Sequence, residues 1–215
     1  MTTPRVVRIK KDVLAKNDEL ATANRRYFSD QGIDVYNLLS SPGAGKTTLL
    51  ARTLRELDGD HRCAVIEGDQ ETDNDAATIA ATGVPVTQIN TVSACHLDAA
   101  MVQRALDGFD LTGRNTLFIE NIGNLVCPAS YDLGEKAKVA LMSVTEGEDK
   151  PVKYPKMFRV ASAVVITKID LLPYLDYDIV KAIAFCKATN PDSIIMQVSA
   201  KTGEGLAAWY DYLKR

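Results

Sequence analysis

Aromatic residues make up only 7% of the 215 residues, and there is a single tryptophan. That is too sparse for the stacking platform that holds single-stranded nucleic acid. Basic charge is not in excess either. The 25 lysines and arginines stand against 28 aspartates and glutamates, net −3, which argues against a basic face for duplex nucleic acid. No apolar run approaches the roughly 18 residues that span a bilayer. The basic start MTTPRVVRIKK leads into DVLAKNDEL rather than into an apolar stretch, so no secretory leader is expected. Neither nucleic acid nor membrane is an expected partner, and the expected compartment is the cytoplasm. Histidine is scarce, with His61 and His96 alone. The four cysteines, Cys63, Cys95, Cys127 and Cys186, are then free thiols, available for metal or simply buried.

What is present is ordinary in amount and informative in order. The 46% hydrophobic content suffices for a core without disulfides. Apolar strands are expected over 33–39, 63–66, 86–89, 116–119, 139–144, 163–167 and 194–198. Helical patterns fill 11–29, 49–57, 75–81, 96–106, 177–187 and 205–213. Short strands alternating with helices specify an α/β fold with a mostly parallel sheet flanked by helices. Residues 33–215 read as one domain. Residues 1–32 read as an N-terminal helical extension whose apolar contacts are expected from Val13, Leu20, Tyr27 and Phe28. Cys63 lies in a strand and Cys186 in an apolar helix, and both are expected in the core.

Between the first strand and the second helix stands S-S-P-G-A-G-K-T, residues 40–47. It matches the phosphate-loop pattern G-x-x-x-x-G-K-[ST], except that Ser40 replaces the first glycine. Gly43 and Gly45 give the backbone freedom to wrap its N–H groups round a phosphate. Ser41, Gly43, Ala44, Gly45, Lys46, Thr47 and Thr48 are the expected phosphate-side contacts. Lys46 would reach the β/γ-phosphates, and the Thr47 hydroxyl would ligate Mg²⁺. The helix N-terminus adds partial positive charge. The alternative, a glycine-rich turn that merely joins strand to helix, leaves G-K-T-T unexplained.

Thr167-Lys168-Ile169-Asp170 closes a later strand, where GTPases carry N-K-x-D. A carboxylate there accepts from the guanine N1–H and exocyclic amine, a donor pair that adenine lacks. Ser199-Ala200-Lys201 closes the next strand and resembles the S-A-K motif that contacts guanine O6. Either motif alone also reads as a plain strand-end turn. Together, after a phosphate loop, they favour GTP over ATP. Thr167 in place of asparagine puts affinity in question, but not base choice. Asp69, Asp75 and Glu120 lie at strand ends, where open α/β sheets bind ligands. With Thr47 they are candidate Mg²⁺ holders, and Lys46, Thr47, Asp75 and Glu120 are candidate catalytic residues. Gly123, in E-N-I-G, is placed to offer its N–H to a γ-phosphate. Asp69 also reads as a solvated loop residue and Asp75 as a helix cap.

Cys95 and His96 are adjacent, and Cys127 lies beyond the Glu120 strand. Thiolate plus imidazole suits Zn²⁺ or Ni²⁺. The spacing matches no short metal template, so spacing alone favours one buried thiol beside an unrelated Cys–His pair.

The stretches VIEGDQETDNDA, ACHLDA, FIENIGNLVCPASYDLGEKAKVALMSVTEGEDKPVKYPKMF and TKIDLLPYL resemble the HypB family of hydrogenase-maturation GTPases. The resemblance runs from about residue 34 to 213. It implies the fold of dimerising P-loop GTPases, hydrolysis of GTP to GDP and phosphate, and nickel delivery to [NiFe]-hydrogenase precursors with other maturation proteins. It also implies that Cys95, His96 and Cys127 bind Ni²⁺ or Zn²⁺ at an interface between two copies, promoted by GTP. The family's additional metal sites are not expected, because neither a C-x-x-C-G-C-like motif nor a histidine tract occurs. The sister urease-maturation family carries C-P-x-H, whereas Cys127-Pro128 here is followed by Ala129-Ser130. A third reading is a non-enzymatic metal chaperone that uses GTP only as a dimerisation signal.

Overall fold

In the computed structural model, residues 9–57, 61–69, 74–92 and 94–215 are described, with side chains from Val13 onward. The strands are β1 (Asp34–Ser40), β2 (Cys63–Asp69), β3 (Val86–Asn90), β4 (Thr116–Glu120), β5 (Ala137–Ser143), β6 (Ala163–Thr167) and β7 (Ile194–Val198). They form one sheet in the order β3-β2-β4-β1-β5-β6-β7, and every pairing is parallel. Strands buried on both faces explain the near-continuous apolar runs such as AVVIT.

The helices are α1 (Ile9–Gln31), α2 (Lys46–Glu56), α3 (Asn74–Ala80), α4 (Ala99–Leu106), α5 (Lys150–Lys153), α6 (Pro155–Val160), α7 (Ile179–Thr189) and α8 (Leu206–Leu213). One face of the sheet packs Tyr36, Leu38, Val139 and Val165 against Leu50 of α2 and Trp209 of α8. The indole Nε1–H of the fully buried Trp209 donates to Thr53 Oγ1 at 2.9 Å, so α8 and α2 share a polar tie as well as a core. The opposite face packs Ala140 and Met142 against α6 and α7, and Leu117 and Ile119 against Phe28 of α1 and Val102 of α4. Cys63 and Cys186 lie in these cores, and burial pushes both thiols up to about 11. Among the described residues no helix is long and apolar enough to cross a membrane.

Three local expectations are corrected. Helix α4 starts at Ala99 and not at His96, because Asp98 caps it by accepting from Met101 N at 2.7 Å. Cys95 and His96 therefore sit in the turn ahead of the helix. The short α5 and α6 went unseen in the pattern, since prolines open both and neither is long enough to show a helical period. On α1, Val13 and Tyr27 are 49% and 40% exposed, Leu20 is half-buried, and only Phe28 is in the core. The inward face instead consists of Asn17, Ala21, Asn24 and Phe28, spaced at helical period. Asn17 Nδ2 donates to Asp132 O at 2.8 Å, and Asn24 Nδ2 donates to Leu133 O at 3.1 Å. Arg25 adds a two-pronged ion pair to Asp132.

Gly134 lies under this helix with φ +93°, and a Cβ there would come within 2.7 Å of Ala21 O and Arg25 N. Both the left-handed backbone and the close approach require glycine. Gly134→Ala is expected to destabilise the fold by about 1–3 kcal/mol. Amide exchange should localise the loss to α1, and protection in α1 equal to the parent's would refute the role.

Candidate functional site

Strand β1 delivers the chain to the carboxyl edge of the sheet between β4 and β5. Ser40 is its last residue, buried and extended, so the position that carries glycine in the pattern needs no left-handed φ here. Gly43 (φ 75°) and Gly45 (φ 92°) supply the two left-handed turns, and Gly45 leads directly into α2. Lys46 Nζ donates to Ser40 Oγ at 3.0 Å, and Thr47 Oγ1 donates to Glu120 Oε1 at 2.6 Å. The Ser41 hydroxyl meets the Glu146 carboxylate, a contact the sequence did not suggest.

A cavity of about 500 Å³ opens over this loop, lined by Gly43, Gly45, Lys46, Thr47, Thr48, Asp69, Asp75 and Gly123 among others. Asp69 is the half-buried last residue of β2, and Asp75 lies in the first turn of α3. Residues 70–73 between them lie outside the described residues. Gly123 packs on the loop so closely that a Cβ would lie 3.0 Å from the Pro42 backbone.

The adjoining cavity, about 240 Å³, is bounded by Gly45, Thr48, Thr167, Lys168, Asp170, Ala200 and Lys201 among others. Ser199 Oγ donates to Asp170 Oδ1 at 2.6 Å and accepts from Thr202 N at 3.0 Å, which fixes the carboxylate's direction. Thr167 Oγ1 donates to Ala44 O at 2.6 Å, and Lys168 Nζ donates to Gly43 O at 2.7 Å. The threonine thus ties the base-side strand to the phosphate loop with its own hydroxyl. Lys168 holds a left-handed φ of 60°, unusual for a side-chain-bearing residue.

Beneath the phosphate cavity are two buried carboxylates in cross-strand register, Glu67 on β2 and Glu120 on β4. Burial, with Glu120, Asp69 and Asp75 nearby, pushes Glu67 up to about 8. Burial raises Glu120 to about 7 against the opposing pull of Lys46 and the Thr47 hydroxyl. The Oε2 atoms of both are buried without a hydrogen-bond partner. Acidic oxygens crowded beside a phosphate-loop hydroxyl fit a hard, hydrated divalent cation such as Mg²⁺. Glu67 was missed in the sequence because it sits inside an apolar strand; a charge within CAVIEGD was the available signal.

Cys95, His96 and Cys127 come together although far apart in the chain, with candidate ligand atoms all within 4.8 Å of one another. Cys95 Sγ lies 3.7 Å from His96 Nδ1. The hydrogen bond with Cys127 raises the Cys95 thiol above its usual value, and burial lowers His96. An imidazole beside two thiols is a donor set that fits zinc or nickel, with a place left open. Asn124 Oδ1 accepts from Val126 N at 2.7 Å and Cys127 N at 3.3 Å, shaping the turn that presents Cys127. The Tyr131 ring stacks on His96 at 3.9 Å between centroids.

Residues 34–197 match the family model described as the CobW/HypB/UreG nucleotide-binding domain. The hydrogenase maturation factor HypB of Escherichia coli K12 is 54% identical over 214 residues, which are 100% of this chain and 74% of that one. The chain belongs to the HypB family of hydrogenase maturation factors. The relative from Azotobacter chroococcum is also 54% identical, over 100% of this chain and 70% of its own. A crystal structure of HypB from Helicobacter pylori in complex with nickel superposes with a TM-score of 0.88 at 37% identity, covering 93% of this chain and 94% of that one. The run Cys127-Pro128-Ala129-Ser130 after β4 holds no histidine.

Glu67 generates a stability prediction. Its folded pKa lies above the ordinary carboxylate value, so between about 4.5 and 8 the folded state holds a proton that the unfolded state has lost. Stability of the nucleotide-free, chelated protein should therefore fall as pH rises through that window, and Glu67→Gln should remove that part of the slope. The variant's melting temperature should exceed the parent's by an amount that grows from about pH 6 to about pH 8, at roughly 2–4 °C per kcal/mol. A pH-independent difference would place the Glu67 pKa at its ordinary value.

Proposed function

We propose that this protein hydrolyses GTP to GDP and phosphate and, as a symmetric dimer, carries nickel for [NiFe]-hydrogenase maturation. The observation that carries the reading is the continuity of the two cavities, which share Gly45, Thr48 and Lys168. A phosphate cradle and an acidic base pocket thus open onto one ligand-sized cleft. Support for the cargo comes from the family and from the Cys95, His96 and Cys127 cluster.

In this reading Asp170 accepts from the guanine N1–H and amine while Ser199 holds it in place. The Ala200 and Lys201 backbone faces O6. The N–H groups of Ser41 and of Gly43 to Thr48 wrap the phosphates, Lys46 neutralises the β- and γ-oxygens, and the Gly123 N–H meets the γ-phosphate. Thr47, Asp69, Asp75 and Glu120 would hold Mg²⁺, directly or through its waters, and the ion supplies further neutralisation of the phosphate charge. Water attacks the γ-phosphorus as the bond to the β-phosphate oxygen breaks, and GDP leaves with that oxygen. Asp75 and Glu120 orient the water and the cation shell; no full proton acceptor is assigned.

Three ligands do not close a tetrahedral site. A second copy of the chain, brought together by GTP, completes it with its own ligands. The metal is cargo, so its affinity must differ between the GTP and GDP states, and linkage makes the effect reciprocal.

Single-turnover hydrolysis with and without Ni²⁺ tests the reading. The parent should release phosphate. Lys46→Ala should lose about 10²–10³-fold in rate, because its charge acts on the transition state. Cys127→Ala should keep GTP hydrolysis and lose the metal. Binding without any hydrolysis would instead identify a chaperone that uses GTP only to dimerise. A second measurement addresses the base. Asp170→Asn should weaken GTP and favour a xanthine nucleotide, whose O2 accepts where guanine donates. ATP competing equally with GTP would refute the base assignment.

A further inference from the structure

The turn that carries Cys95 and His96 has neither helix nor strand to fix it, and it is held by side-chain amides. On one side is Asn121, fully buried and next in sequence to Glu120. Its Oδ1 accepts from Leu97 N at 3.2 Å and from Ile122 N at 3.0 Å. Its Nδ2 donates to Asn37 Oδ1 of β1 at 3.2 Å, and Asn37 Nδ2 donates in turn to Glu135 Oε1 at 3.2 Å. On the other side is α1. Asn17 Oδ1 accepts from Ala99 N at 2.9 Å, and Asn24 Nδ2 donates to Ala99 O at 2.9 Å.

These two attachments differ in what lies behind them. Asn17 and Asn24 belong to a helix whose described residues line neither cavity. Asn121 stands in the five-residue stretch from Glu120 to Asn124. That stretch meets Thr47 through Glu120 and presses on Pro42 through Gly123. The same stretch shapes the turn into Cys127 through Asn124. Both arms of the thiol–imidazole cluster therefore hang from a segment that lies against the phosphate loop.

We propose that Asn121 is the positioning residue that transmits nucleotide state to the metal site, by fastening Leu97, and with it His96, to the strand end carrying Glu120. The proposal rests on the GTP and metal reading of the two sites given above. A shift of residues 120–123 towards or away from a γ-phosphate moves the Asn121 amide. Its hydrogen bond then carries Leu97 with it, while Asn124 moves the Cys127 turn. A buried amide oxygen that already serves two N–H groups is a stiff link, because removing it takes the acceptor from both Leu97 N and Ile122 N at once.

The test is competition titration of Ni²⁺ against a chromophoric chelator, with the full chain in its GDP form and in the form bound to a non-hydrolysable GTP analogue. The readout is the ratio of the two metal dissociation constants. In the parent this ratio should lie between about 5 and 150. Asn121→Ala should bring the ratio close to one. Asn121→Ser, which retains a polar group too short to bridge Leu97 and Asn37, serves the same purpose where the alanine variant does not fold. Asn17→Ala is the comparison. It loosens the same turn from the side of α1, so it should change both constants by a common factor and leave the ratio in place. An unchanged ratio in the Asn121 variants overturns the proposal, as does a ratio lost equally in Asn17→Ala. A parent that binds no nickel or no GTP refutes the functional reading itself, whereas a parent that binds both with a ratio of one refutes only the coupling.

Discussion

Strand β1 is buried on both faces and lies between β4 and β5. The chain leaving it must reverse within a few residues to begin α2, beside the end of β4. Only small residues allow that turn, and the left-handed Gly43 and Gly45 make it with the N-terminus of α2 pointing into the cleft. Every other part of the site is measured from this turn. Thr167 and Lys168 reach back to its carbonyls, Glu120 meets its threonine, and Gly123 can approach only because it has no side chain. The sheet order thus determines what can face the phosphates, and the loops add the chemistry.

The parts of the site that were legible in the sequence are those whose chemistry is local. A phosphate loop needs its residues consecutive, and a base-recognition motif follows a strand end, so Lys46 and Asp170 stand out from their neighbours alone. The strand segments were legible for a related reason, because full burial leaves an apolar run. Asn17 and Asn24 were not legible. A polar residue within a helix reads as solvent-facing, and only the tertiary partner at Ala99 makes it the inward face. The thiol–imidazole cluster falls between these cases. No spacing rule joins Cys127 to Cys95; the sheet does, by placing the β4 exit beside the turn that precedes α4.

The buried amides have a further consequence for α1. It contributes Phe28 to the core, yet its seat is defined by directional bonds to Asp132, Leu133 and Ala99. Apolar packing tolerates sliding, whereas a buried amide with few alternatives does not. Helix α1 is therefore held in register with the turn before α4 rather than resting on it.

The acidic floor of the cleft links loading to stability. Glu67, Glu120, Asp69 and Asp75 gather at the ends of β2 and β4, Lys46 offsets part of the burial cost of Glu120, and the first two leave buried oxygens unpartnered. Without nucleotide and cation this arrangement opposes folding, because each buried carboxyl must either ionise in a low-dielectric space beside other carboxylates or hold a proton there. A bound cation relieves it, and any ligand that binds only the folded state stabilises that state by mass action. These carboxylates thus weaken the fold where β2 and β4 end. Glu120 begins the stretch that carries Asn121. The strain of the acidic floor therefore falls at the start of the segment whose Asn121 and Asn124 hold the turns that carry Cys95, His96 and Cys127.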